Sequence, residues 1–204
     1  MGIVNFEISV SLDGFVAGPN DSVDNSLGDG GRALFEWYNN GDVPIKLAGT
    51  DMVFHVSRAS ADFLEQEWAD GGAMVTGRRM FDIAQAWGGN PPGGVPCFVV
   101  THTPAQEWVK EGSPFIFVTD GVESAIRQAK QVAGDKKVGV SSASIAQQCI
   151  KAGLLDEIQL DLVPVLLGGG VRLFDNLGIT PIDLEILNVV EGVGVTHLKY
   201  RIVK

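Results

Sequence analysis

Between residues 73 and 167, short apolar runs alternate with segments of helical period. AMVTG precedes RRMFDIAQAW, PCFVVT precedes PAQEWVK, FIFVTDG precedes VESAIRQAKQVA, and KVGV precedes SSASIAQQCIKAG; a long run, EIQLDLVPVLL, follows at about 157–167. Parallel neighbours in a sheet can be joined only by a crossover, usually a helix, so this alternation predicts βαβ units around a mainly parallel sheet. At the start, Ile3 to Val10 (IVNFEISV) is β-branched and partly alternating, and it runs into the turn Ser11-Leu12-Asp13-Gly14. At the other end, LEILNVV and VTHLKYRIV are joined by Glu191-Gly192-Val193-Gly194 with no helix between them, which predicts an antiparallel hairpin closing the sheet. No repeat, linker or composition break divides the chain. The expected architecture is a single α/β domain over 1–204, three-layered, with a mainly parallel twisted sheet flanked by helices and a C-terminal antiparallel hairpin.

The segment before residue 73 is less patterned. Residues 18–31 (GPNDSVDNSLGDGG) are polar and glycine-rich and read as a long surface loop, of the kind that is usually functional or mobile. Amphipathic helices are expected at about 32–38 (RALFEWY) and 60–69 (SADFLEQEWA), the second with Ser60 as an N-cap. The 26 glycines, about twice the usual ~7%, follow no period, so their places matter more than their number.

Composition excludes several classes. With 45% hydrophobic residues the chain is too apolar for intrinsic disorder, yet it holds no uncharged run of the ~18 residues a membrane helix needs. A net charge of −10 and a pI near 4.6 argue against a nucleic-acid surface, which needs clustered Lys and Arg. Met1 to Val10 shows no basic region followed by an apolar stretch and cleavage site, so a cytoplasmic protein is expected. Cys97 and Cys149 stand alone, and with His55, His102 and His197 they form no ligand spacing, so no metal is expected.

Ligands of parallel sheets bind at the carboxyl ends of the strands. Four exits here share a theme: Gly77-Arg78-Arg79-Met80, Thr101-His102-Thr103, Thr119-Asp120-Gly121 and Ser141-Ser142-Ala143-Ser144. Helix N-termini present free N–H groups and partial positive charge, and arginines or hydroxyls beside them strengthen a phosphate site. Several such exits side by side suit a dinucleotide. Each also has a plainer reading: Ser and Thr at helix starts as caps, Arg78 and Arg79 as a solvated pair, His102 as surface, and Gly168-Gly169-Gly170 as a turn. The string Gly28-Asp29-Gly30-Gly31-Arg32-Ala33 matches G-x-G-x-x-A but follows no strand, so it is not read as a dinucleotide fingerprint. No nucleophile elbow occurs, and neither cysteine has an activating context.

Taken together, SLDGFVAGPN (11–20), GRRMFD (77–82), NPPGGVPCFVVTHTP (90–104), FVTDGVESAI (117–126) and AGLLDEIQLDLVPVLLGGGVRLFD (152–175) resemble the dihydrofolate reductase-like superfamily. Within it the chain is similar to the branch related to the C-terminal reductase domain of the bifunctional riboflavin-biosynthesis deaminase-reductase. The resemblance implies an NADPH-dependent reductase that passes hydride to a small pterin-like or aminopyrimidine-type heterocycle, similar to the 5-amino-6-(5-phosphoribosylamino)uracil reductase; the cofactor carries the hard step. It further implies that Ala17 holds the nicotinamide amide through its backbone. Arg78, with Thr101 and His102, would receive the 2′-phosphate, while Arg79 and Met80 meet the pyrophosphate after Gly77, and Thr119 lies by the adenosine. Ser141 and Ser142, with Ala143 and Ser144 after them, stand where the family commonly has a Gly-Gly pair. Val140 stands near the family's substrate glutamate, a part that valine cannot play.

Two carboxylates are candidate proton donors: Asp62, 16 residues before Arg78, and Asp13 beside the expected nicotinamide, with water as an alternative source. A homodimer is expected by analogy with related reductase domains. The rival reading is a non-catalytic nucleotide- or pterin-binding protein that retains the fold.

Overall fold

The structure is a computed structural model and describes residues 2–204 other than 176 and 179. The strands are β1 (Val4–Ser11), β2 (Phe15–Ala17), β3 (Val43–Lys46), β4 (Val53–Val56), β5 (Gly71–Gly77), β6 (Cys97–Val100), β7 (Phe115–Val118), β8 (Lys137–Val140), β9 (Glu157–Val163), β10 (Val171–Arg172), β11 (Leu184–Glu191) and β12 (Thr196–Ile202). The α-helices are α1 (Arg58–Trp68), α2 (Arg78–Ile83), α3 (Val122–Ala133) and α4 (Ala143–Lys151). Eight strands build one sheet in the order β11-β12-β9-β1-β8-β5-β6-β7. The run from β9 to β7 is parallel, and β12 and β11 add to it as the expected antiparallel hairpin. This is the α/β layering that the strand–helix alternation predicts.

The two faces of the sheet differ in chemistry because β1, β9 and β12 alternate strictly. Val4, Phe6 and Val10 of β1 join Val138, Val140 and Ile158 in the large core, which includes Ala125, Ile126 and Ala129 of α3 and Ile145, Ala146 and Cys149 of α4. Each fully buried large side chain there contributes roughly 1.5–3 kcal/mol. The opposite face carries Glu7 and Ser9 beside Gln159 and Asp161, with Lys199 and His197 next in register. Helix α1 covers this polar face. Beyond it, toward β7, the same face turns apolar again around Met74, Phe81, Cys97, Val99 and Phe115.

Several local expectations are corrected. Helix α1 starts at Arg58 and is capped by Ser57, whose hydroxyl accepts from Ser60 N at 3.2 Å; Ser60 is not the cap. The segment expected to be a helix at 32–38 is a 3-10 turn over Gly31–Asn39. RRMFDIAQAW does not stay helical: Gln85, Ala86 and Trp87 adopt φ of +49°, +50° and +47°, a left-handed turn costing roughly 1–2 kcal/mol per residue. The turn sinks Ala86 to 2% exposure in the apolar region around Phe81 and Phe115, which offsets the cost. PAQEWVK forms only a 3-10 turn, Gln106–Trp108, whose Trp108 packs edge-on against Phe81 and Phe115. The strand expected to reach residue 167 ends at Val163, because Pro164 has no N–H for the ladder. The β3–β4 hairpin lies in a stretch that carried no strand expectation.

Candidate functional site

The exits of β5 and β8 are joined by direct hydrogen bonds. Ser141 N donates to Val75 O at 2.9 Å, Thr76 Oγ1 donates to Ser141 O at 2.7 Å, and Gly77 N donates to Ser142 Oγ at 3.3 Å. A Cβ on Gly77 would lie 3.3 Å from Ser142 Oγ and 3.4 Å from Ser144 Oγ, a close approach to both hydroxyls. Ser142 has φ of 175°, an extended conformation open to any residue, and makes no side-chain cap on α4. The serine pair is therefore accommodated without backbone strain. Its hydroxyls, the uncapped N–H groups of α4 and Gly77 form a donor set with no carboxylate among residues 141–144, and that chemistry fits an anionic group such as a phosphate.

Arg78 joins the β6 exit to this cradle. Its Nε donates to Asp82 Oδ1 at 2.8 Å and its Nη1 to Thr103 O at 2.6 Å, while Thr101 Oγ1 donates to the same carbonyl at 2.9 Å. His102 is exposed beside them, and Met80 is half-buried in the first turn of α2. Arg79 turns the other way and grips Asp21 of the 18–31 loop, with Nη2 at 2.8 Å from Oδ1. Ala17 pairs with Val171 in the short β2–β10 ladder. Thr119 is exposed at the exit of β7, the edge strand.

Both candidate acids are engaged in contacts within the chain. The Ser11 hydroxyl, at 2.6 Å, and the Gly168 and Leu167 N–H groups pull the Asp13 carboxyl down to about 2. An acid held there carries no proton at neutral pH; it pins the 167–168 turn. Asp62 has its side chain 56% exposed and pairs with Arg58 at 3.4 Å, while the buried residues of α1 are Ser60, Ala61, Phe63 and Leu64.

The polar layer under α1 lies outside the residues that sequence reasoning chose. His197 Nδ1 lies 2.7 Å from Asp161 Oδ1 and its Nε2 lies 2.9 Å from Ser60 Oγ. The tautomer with the proton on Nδ1 satisfies both contacts, since a carboxylate only accepts. The composition is that of a hydrolytic triad, but His197 is 0% and Ser60 1% exposed, so no substrate reaches the hydroxyl. The chain of bonds ties β9, β12 and α1 together. Alongside it, Trp68 Nε1 donates to Glu7 at 3.1 Å, and Glu67 binds both Lys137 and Lys199, at 3.0 and 2.8 Å. Burial raises the Glu67 carboxyl, and the hydrogen bonds from Lys199 and Lys137 outweigh it, leaving a net lowering. The signal in the sequence was the apolar–polar alternation of VNFEISVS, EIQLDLV and THLKYRI. Among the described residues no group of His, Cys, Asp or Glu could hold a metal, both cysteines are buried and unpaired, and no helix is long and apolar enough to cross a membrane.

The mixed eight-stranded sheet with helices on both faces is the dihydrofolate reductase-like fold. The structure superposes on a Shewanella sp. PV-4 protein named for riboflavin biosynthesis with a TM-score of 0.71 at 20% identity, covering 99% of each chain. Dihydrofolate reductase from Enterococcus faecalis, solved with NADP(H), aligns with a TM-score of 0.57 at 14% identity over 100% of this chain and 98% of that one. RibD from Acinetobacter baumannii gives 0.64 at 13% identity; all of this chain aligns, spanning 59% of that longer one. The family model of the RibD C-terminal domain matches residues 3–198, and the chain belongs to that family. No curated protein matches the sequence.

Proposed function

We propose that this chain is an NADPH-dependent reductase of a small pterin-like or aminopyrimidine-type heterocycle, acting in the cytoplasm. The observation that carries the reading is the joining of the β5 and β8 exits, where Gly77, Ser142, Ser144 and the start of α4 make one donor-lined cradle with Arg78 at its rim. NADPH, when bound, supplies the hydride. The protein's part is to bind and orient: the α4 N–H groups and Ser142 and Ser144 hydroxyls take the pyrophosphate, and Arg78 with Thr101 and His102 takes the 2′-phosphate. Ala17 offers its backbone to the nicotinamide amide, and Thr119 lies toward the adenosine. With Asp13 held ionised and Asp62 paired at the surface, the proton comes from water.

The same two carboxylates keep the second reading in play, a protein that binds nucleotide or pterin without turning it over. Following NADPH oxidation by absorbance across a panel of pterins, quinazolines and aminopyrimidines separates the two. Turnover of any member supports the reductase; stoichiometric binding with no oxidation across the panel makes the chain a binder. The proposed homodimer would form through β11, an edge strand with free backbone groups and exposed Leu184, Ile186 and Val189. Light scattering should give twice the chain mass, falling to one chain in Ile186→Lys.

A further inference from the structure

The closed layer under α1 contains a line of hydrogen bonds that leads out of it. Ser57 Oγ donates to Ser60 Oγ at 3.0 Å, Ser60 Oγ donates to His197 Nε2 at 2.9 Å, and His197 Nδ1 donates to Asp161 Oδ1 at 2.7 Å. With the proton on Nδ1, every bond in the line points the same way, from the N-cap of α1 toward the Asp161 carboxylate. The members differ in access. Ser60, His197 and Asp161 are each 1% exposed or less, whereas Ser57 is only half-buried and meets solvent. The walls around the ring are apolar: Phe63 stacks on His197 at 4.8 Å and Trp37 meets it edge-on at 5.3 Å. On the remaining side the β11–β12 turn closes over Ser60, so tightly that a Cβ on Gly192 would overlap its hydroxyl.

A hydroxyl both donates and accepts, so it can take a proton on one side and pass one on from the other. A proton delivered by water to Ser57 Oγ sends the Ser57 hydrogen to Ser60 Oγ, and the Ser60 hydrogen moves to His197 Nε2. Each oxygen again carries one hydrogen and the imidazole carries two. The bonds have reversed: Nε2–H donates to Ser60, Ser60 to Ser57, and Ser57 to water. Run backward, the same steps return the proton. Every member of the line keeps a partner in both states, so neither state leaves one of them unpaired in the layer. The other ionisable groups there are Glu7 on β1, Tyr38 in the 3-10 turn, Glu67 on α1, and Lys137 and Lys199 on β8 and β12, which Glu67 holds. Asp161 on β9 is the carboxylate in contact with the ring.

We propose that Ser57, Ser60 and His197 form a proton wire through which the Asp161 layer exchanges a proton with solvent while α1 stays docked on the sheet. The seam thereby follows the pH of its surroundings without opening.

Nuclear magnetic resonance on the 15N-labelled whole chain tests it, with water saturation transfer for fast protons and deuterium exchange for slow ones. The quantity read is the exchange rate of the His197 ring N–H relative to the backbone amides of the β9–β12 ladder, which exchange when the seam opens. In the wild type the ring proton should exchange at least about a hundredfold faster than those amides. Ser57→Asn keeps an N-cap but removes the hydroxyl, and the ratio should fall about tenfold or more; Ser57→Thr keeps both and should hold the wild-type ratio. Because the ladder amides are the reference, any loss of stability in a variant cancels. A wild-type ring proton no faster than the ladder, an unchanged ratio in Ser57→Asn, or a ratio in Ser57→Thr as low as in Ser57→Asn overturns the wire.

Discussion

Burial beneath α1, with Asp161 in the same layer, lifts the Glu7 carboxyl from its ordinary 4.5 to about 8, although the Trp68 indole N–H opposes the rise. Between those values the folded chain holds a proton that the unfolded chain has released, so the Glu7 contribution to stability is fully present below 4.5 and is lost as pH rises through about 8. Glu7→Gln keeps the shape and removes the titration. Thermal melts should show it matching the wild type near pH 4.5 and exceeding it by several degrees at pH 8.5, a gain on the order of a few kcal/mol; an equal difference at both pH values contradicts the assignment. Asp13 behaves oppositely. Its stabilising bonds are present above 3.8 and lost as pH falls through about 2, so Asp13→Ala should lower the midpoint at pH 7 and speed proteolysis within residues 165–170. At this scale the residue types were legible and their partners were not. Asp21 meets Arg79 across 58 positions and Ser60 meets His197 across 137, and no local pattern encodes such pairs.

At the scale of elements, the seam between α1 and the β9–β12 ladder depends on His197. Its removal leaves Asp161 and Ser60 unpaired in a closed layer, and His197→Ala should destabilise by about 3 kcal/mol, measured by urea unfolding. Gly192 seals the same seam from the hairpin turn: a Cβ there would lie 2.4 Å from Ser60 Oγ, so Gly192→Ala should also destabilise, and no loss would show that the turn can shift away. The parallel strands were legible because apolar runs bounded by helical periods have one economical arrangement. The helix after β5 was read too long because periodicity carries no sign of the left-handed turn at Gln85, Ala86 and Trp87, which the packing of Ala86 among distant rings decides. The crossover from β6 to β7 was misjudged for a related reason: Trp108 anchors a short turn by contacts with Phe81 and Phe115, and no longer helix is needed.

Across the whole molecule, a chain of net charge −10 gathers its candidate anion site at one end of a parallel sheet and balances the two consecutive arginines after β5 with carboxylates, Asp82 for Arg78 and Asp21 for Arg79. Part of the glycine excess serves close backbone approaches, at Gly18 and Gly28 in the 18–31 loop, and part serves positive-φ turns such as Gly121 and Gly134. The strand exits were recognisable in advance because phosphate-suited residues recur where Brändén's rule places ligands; the pairing of Asp21 in the 18–31 loop with Arg79 was not. The central claim is that these exits bind NADPH through its phosphates. Titrating NADPH and NADH against intrinsic tryptophan fluorescence in the wild type and Arg78→Ala tests it most directly. Saturable NADPH binding that weakens about tenfold or more in Arg78→Ala, with NADH little changed, is the predicted result; no binding at millimolar NADPH, or equal losses for the two cofactors, would contradict it.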